Sequence, residues 1–274
     1  MRKLITLLSL LITLPLAWAE VDSAALDKQL KDVDRRESRE RQKVDQAEEQ
    51  ERIKLRSRER DELARVQREN TAVAMQAMGT LTATGSMGKV DTAALARAKF
   101  AEDEVRNLMQ NQDGAEISRR FDHERRALDR KFNLERARIE AQRIDAGDDT
   151  AKQRDTAVKT AEINDRFQAR DDDLALEEAA EEAKLRFTYT TKLNAAERDL
   201  ADMVAKHMFA QIEKGSAAGA YNPAADPEYT KLAAVRDQAK NGLDTALEEM
   251  HAKFNTRRTD INNEKEDEMA KLSG

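Results

Sequence analysis

Proline and glycine are the residues that most readily end a helix, and in this chain they are confined to a few short stretches. Of the 3 prolines, Pro15 lies in an apolar N-terminal run, and Pro223 and Pro227 stand close together. The 9 glycines gather at Gly79, Gly85 and Gly88 and at Gly215 and Gly219, with few elsewhere. An interior proline costs a helix about 3 kcal/mol and an interior glycine about 1, so stretches holding neither can run as helix without interruption. Three breaks are predicted: a loop from about Gly79 to Lys89 among Thr and Ser, a tight turn at Gly147-Asp148-Asp149-Thr150, and a loop from about Gly215 to Pro227. The segments between them run from about Asp22 to Met78, Asp91 to Ala146, Asp149 to Lys214 and Pro227 to Leu272. Gly114 and the β-branched run around Phe187-Thr188-Tyr189-Thr190-Thr191 are read as weak points inside them. Asp91, Asp149 and Asp226 stand where N-caps belong, with Pro227 at the first helical position after Asp226.

Helices of that length need an apolar stripe, and this one is thin. Hydrophobic residues make up 39% of the chain, charged residues 37% and aromatic residues 4%, short of the apolar share of about 45–50% usual in globular chains. In the last segment Leu232, Val235, Ala239, Leu243, Ala246, Met250, Phe254 and Ile261 recur at steps of three or four, apart from the wider gap across Arg257. In the second segment Leu128, Phe132 and Ile139 do the same, interrupted by Glu135. Between Asp34 and Asn70 apolar residues are too sparse for a seam, and ion pairs four residues apart are expected instead: Asp32–Arg36, Glu37–Arg41, Glu48–Arg52 and Asp61–Arg65. The expected fold class is all-α: elongated antiparallel coiled-coil hairpins built from about four long helices, following a cleaved signal peptide.

The address rests on the first 19 residues. Met1-Arg2-Lys3 is a basic start, Leu4 to Leu16 is largely apolar, and Ala17-Trp18-Ala19 supplies the small residues a signal peptidase reads, so Glu20 is expected to open the mature chain. The apolar stretch is shorter than the roughly 20 residues a spanning helix needs. The chain has no cysteine, which excludes disulfide scaffolds, thiol enzymes, cysteine-ligated zinc and a lipidated N-terminus. Residues 1–19 are therefore read as signal peptide, 20–146 as a first helical hairpin with its loop at about 79–89, and 147–274 as a second with its loop at about 215–227. The compartment expected is the bacterial periplasm, or secretion beyond it, with no integral membrane segment after cleavage.

Charge suggests how the segments pair. Arg52 to Arg68 carries seven bases against three acids, and folding about the first loop sets it opposite Phe100 to Glu116, which holds five acids and one base. Such complementarity selects a register. Folding about Tyr221 sets Asp171 to Glu182, with seven acids and no base, opposite the acid-rich Asp260 to Lys271. There like charges meet, so that end is expected to splay, bend or receive a cationic partner, unless the acidic run is simply a solvated face.

Chemistry is sparse. The 3 histidines lack metal-site spacing, and Glu248 with His251 is a single Glu-x-x-His step where a di-iron bundle needs two. Gly85-Ser86-Met87-Gly88-Lys89 lacks the remaining residues of a phosphate loop, and the Asp/Gly turns lack the full oxygen set of a calcium loop. An acidic chain with few aromatics argues against nucleic acid. No catalytic, cofactor-binding or metal residues are assigned, and no enzyme activity or cofactor is expected. The candidate interaction residues are Tyr221 and Tyr229 at the second loop and the acidic Asp171, Asp172, Asp173, Glu177, Glu178, Glu181 and Glu182. The function expected is that of a non-enzymatic scaffold, spacer or adaptor in the bacterial envelope, working through protein–protein contacts, with homo-oligomers allowed. A periplasmic holdase chaperone with helical arms is the alternative, and a ferritin-like metal-binding bundle a remote one.

Overall fold

A computed structural model describes residues 23–86, 89–144, 150–215 and 222–273. The signal sequence, Tyr221 and the turn at Gly147 and Asp148 lie outside the described residues. All regular structure among the described residues is helical: α1 is Ser23–Thr84, α2 Thr92–Asn107, α3 Ala115–Ala141, α4 Thr150–Glu213 and α5 Pro227–Ser273. A π-helical stretch, Leu108–Gly114, joins α2 to α3, and a 3₁₀ turn, Pro223–Ala225, precedes α5.

The helix ends follow the cap chemistry. The Asp91 carboxylate accepts the Ala94 amide at 2.9 Å, and Asp226 accepts the Glu228 amide at 2.8 Å beside Pro227. Gly85 and Gly215, at φ of +62° and +72°, close α1 and α4 in the left-handed conformation that glycine adopts without a Cβ clash. Gly79, expected to open the first loop, instead lies inside α1. The hydroxyls of Thr80, Thr82 and Thr84 donate to the carbonyls of Gln76, Met78 and Thr80, and the helix runs through them.

Gly114 and the Phe187–Thr191 run stop nothing either. The π stretch at Gly114 has a packing cause. Buried residues on α3 repeat with heptad steps at Ile117, Phe121, Phe132 and Ile139, with Leu128 partly buried between them. The next buried apolar residue upstream is Met109, eight residues before Ile117 where seven would keep phase. A π turn absorbs one extra residue, which returns Met109 to the packed face.

The described residues pack as two compact units. One takes in the described residues of Met1–Lys43, Arg125–Asp171 and Ile261–Gly274; the other takes in those of Val44–Glu124 and Asp172–Asp260. In the first, Leu26 and Val33 of α1 pack with Phe132 and Ile139 of α3, flanked by Leu30 and Leu128. In the second, Leu55 packs with Met109, Ile117 and Phe121, flanked by Val44 and Val105.

Where apolar residues run out, glutamates fill the packed positions of α1. Leu26, Leu30, Val33, Glu37, Glu40, Val44 and Glu48 follow one another in steps of four and three, all buried or half-buried. Glu37 receives Arg136 from α3 and Arg41 from its own helix, and Lys131 reaches Glu40 at 3.1 Å. Two expected intrahelical pairs form, Glu37–Arg41 and Glu48–Arg52. The other two do not: Arg36 reaches across to Glu135, leaving Asp32 to Arg35, and Arg65 is held by Glu62 and Glu69 instead of Asp61. On α5, Val235 is 49% exposed, because a four–three pattern read back from Ala239 passes through half-buried Arg236 and Leu232.

Candidate interaction surface

Ion pairs between helices fix which residues face which. In the first unit, α1 and α3 run antiparallel, with Asp27–Arg143, Asp34–Arg136, Arg36–Glu135 and Arg41–Asp129 in descending register. In the second unit, Glu51–Arg120 and Arg58–Asp113 continue that register within three residues of the one expected from the charge blocks. Between the blocks themselves Arg58 pairs with Asp113, while Glu102 and Asp103 are bound by Arg106 of their own helix and Glu104 by Arg198 of α4.

The α4–α5 register differs from the expected one. In the first unit Arg166 meets Glu268 and Arg170 meets Glu264. In the second, Glu177 meets Arg257 at 2.7 Å, Glu178 meets Arg258 and His251, and Glu181 meets Lys253 at 3.3 Å. The acidic run thus faces bases, about eight residues nearer the loop than the acid-rich tail. The Asn222–Asp226 stretch that leads into α5 is held by a local cap and by one contact to α4. Asn222 caps the 3₁₀ turn through the Ala224 amide, and the Asp226 carboxylate lies 3.5 Å from His207.

Each candidate residue has a place in this scheme. Asp173 pairs with His123 at 2.9 Å, Glu182 with Arg186 of its own helix at 2.7 Å, and Asp172 is buried at 3% exposure. The structure assigns Asp171 to the first unit and Asp172 onward to the second. Most of the candidate acidic residues therefore have a basic or histidine partner within the chain. Tyr229, in the first turn of α5, lines an open groove of about 400 Å³ with Val204, Met208 and Lys99.

His123 of α3 faces Asp173 of α4, His207 of α4 faces Asp226 just before α5, and His251 of α5 lies against Glu178 of α4 at 3.0 Å. Burial pushes the Glu178 carboxyl up, but hydrogen bonds from His251 and Arg258 outweigh it, so the group is held below its ordinary value. Glu37 is held down in the same way: burial opposes ionisation, and Arg136 and Arg41 overcome it. Arg136 is correspondingly raised by Asp34 and Glu37. At Glu37 a carboxylate shared between Arg41 and Arg136 clips α1 to α3, and at Glu178 hydrogen bonds to His251 and Arg258 clip α4 to α5.

Among the described residues no three His, Asp or Glu converge in a way that would hold a metal ion, and no helix is long and apolar enough to cross a membrane. A groove of about 780 Å³ lies open between α1 and α2, lined by apolar Val66, Val105, Leu108 and Met109 and by charged Arg58, Asp61, Arg65 and Glu104. A second of about 510 Å³ is lined mainly by charged side chains, among them Glu51, Lys54, Glu116 and Arg120. Neither brings a nucleophile beside a base, and both suit a docked chain better than an enclosed small molecule.

Sequence pattern missed two features. Charge spacing did not reveal which arginines stay unpaired, and the uncharged stretch from Thr71 to Ser86 was read only as helix followed by loop. No family model, curated protein or solved structure matches the chain.

Proposed function

We propose that this chain is a non-enzymatic scaffold, spacer or adaptor of the bacterial envelope, built from antiparallel coiled-coil hairpins and acting through protein–protein contacts. The observation that carries the reading is the ladder of cross-helix pairs, from Asp27–Arg143 to Arg41–Asp129 and from Glu177–Arg257 to Glu181–Lys253. Each exposed pair contributes only ~0–1 kcal/mol, so their value lies in choosing register more than in stability. Heptad-spaced buried positions on α1 and α3 support the coiled-coil reading, and the open grooves support docking over catalysis.

Export follows from the Met1–Ala19 sequence pattern, and N-terminal sequencing of the mature protein tests it: the chain should begin at Glu20. Photo-crosslinking residues placed singly along α1 and α5 of the exported chain test the adaptor role. Discrete adducts with one or two envelope proteins at specific positions are expected. No adduct at any position, together with suppression of aggregation of a heat-unfolded client, would replace this reading with the holdase.

A further inference from the structure

Helix α1 carries a second stripe opposite its packed one. Ile53, Met75 and Met78, exposed by 54%, 68% and 67%, are three of the five large exposed apolar residues among those described. At 100° per residue, Ile53, Ala64, Thr71, Met75, Met78 and Thr82 fall within an arc of about 60°, roughly half a turn from buried Leu55 and Val66. Successive stripe positions, counting Ser57, Arg60 and Arg68, are separated by three or four residues, the spacing by which one helix seats along another.

The stripe's charge has one sign. Its only ionic side chains are Arg60 and Arg68, both exposed. Arg56, Arg58 and Arg65 nearby are paired with Glu49, Asp113, and Glu62 and Glu69. Arg60 and Arg68 have no carboxylate partner among the described residues; Arg68 donates only to the Ala64 carbonyl of its own helix. From Thr71 to Ser86 the stripe's C-terminal half is uncharged, in a chain where 37% of residues are charged.

Resting on the adaptor reading, we propose that this outward stripe of α1 is the docking face for an amphipathic helix of another protein, with acidic residues flanking its apolar positions. Apolar knobs of the partner lie over Ile53, Met75 and Met78, whose flexible thioethers conform to varied shapes. Its carboxylates meet Arg60 and Arg68, which can each take one bidentately. A second copy's stripe would bring the same unpaired arginines into the contact and offer them no carboxylate, so self-association is disfavoured.

A synthetic four-heptad helix with leucines at three- and four-residue steps and glutamates beside them is the probe, and its twin with lysines for glutamates is the comparison. Fluorescence anisotropy with the full mature chain should show the glutamate peptide binding at least tenfold tighter than the lysine peptide. Met75→Glu with Met78→Glu should weaken it at least tenfold, as should Arg60→Glu with Arg68→Glu, while melting temperatures hold. Absence of binding, equal affinity for both peptides, or equal affinity for every variant would overturn the proposal. So would sedimentation showing that Met75→Glu with Met78→Glu dissociates an oligomer, since a second copy would then cover the stripe. If the stripe fails while crosslinking at Tyr229 or elsewhere on α5 captures a discrete envelope protein, the adaptor reading stands without it.

Discussion

Replacing Phe132 with alanine distinguishes a packed helix pair from two independent helices by the sign of the effect. Phe132 is fully buried at 0% exposure and sits between Leu26, Leu30 and Val33 of α1 and Leu128 and Ile139 of its own helix. Truncating a buried phenylalanine to alanine costs about 3–5 kcal/mol from lost transfer energy and the cavity left behind. At roughly 2–4 °C per kcal/mol for a domain of some 150–250 residues, the melting temperature should fall by about 6–20 °C. On a helix standing alone the same change would help slightly, because alanine is the stronger helix former by about half a kcal/mol. Thermal and urea unfolding followed by circular dichroism measure the difference, with Met75→Ala, at a site 68% exposed, as a control expected within about 0.5 kcal/mol of wild type. A Phe132→Ala chain as stable as wild type, or more so, would refute the packing of α1 on α3.

Two further outcomes follow from the same interactions. Glu37 is held below its ordinary value of 4.5, so its contribution is complete above that pH and disappears as pH falls through the lower folded value. Glu37→Gln should therefore lower the urea midpoint at pH 7 and converge with wild type in strong acid; an equal gap at both would contradict the assignment. Deleting exposed Gln110 from the π stretch restores a seven-residue step between Met109 and Ile117 and should leave the melting temperature within a few degrees of wild type, whereas deleting Arg126, which shifts Leu128 and Phe132 off the seam, should lower it strongly. Equal losses in both would remove the phase argument for the π turn.

Much of the architecture was legible because its signals are local. Asp91 and Asp226 act where their caps were expected, and α5 begins at Pro227. Gly79 misled because glycine permits a break without requiring one; only a positive φ, as at Gly85, demands it. The α4–α5 register was misread because the turn was centred on Tyr221, whereas Arg166–Glu268, Arg170–Glu264 and Glu177–Arg257 pair the helices in another alignment, one that only contacts between residues distant in sequence reveal. That difference decided the reading of the acidic run, turning a repulsive face into a row of ion pairs. Glu37 of the α1 seam was hidden for a related reason: it looks like a surface residue until Arg136 reaches it from α3.

The pairing register is the claim on which the rest depends, and it can be measured directly because the chain has no native cysteine. Spin labels placed by Arg170→Cys with Glu264→Cys, and separately by Arg170→Cys with Lys271→Cys, report two candidate alignments of α4 and α5. Electron–electron distance measurements should find the 170/264 pair adjacent, as the 2.5 Å contact between those side chains requires, and the 170/271 pair about 10 Å farther along the helix. A shorter distance for 170/271 would place the acidic run against the acidic tail and contradict the account.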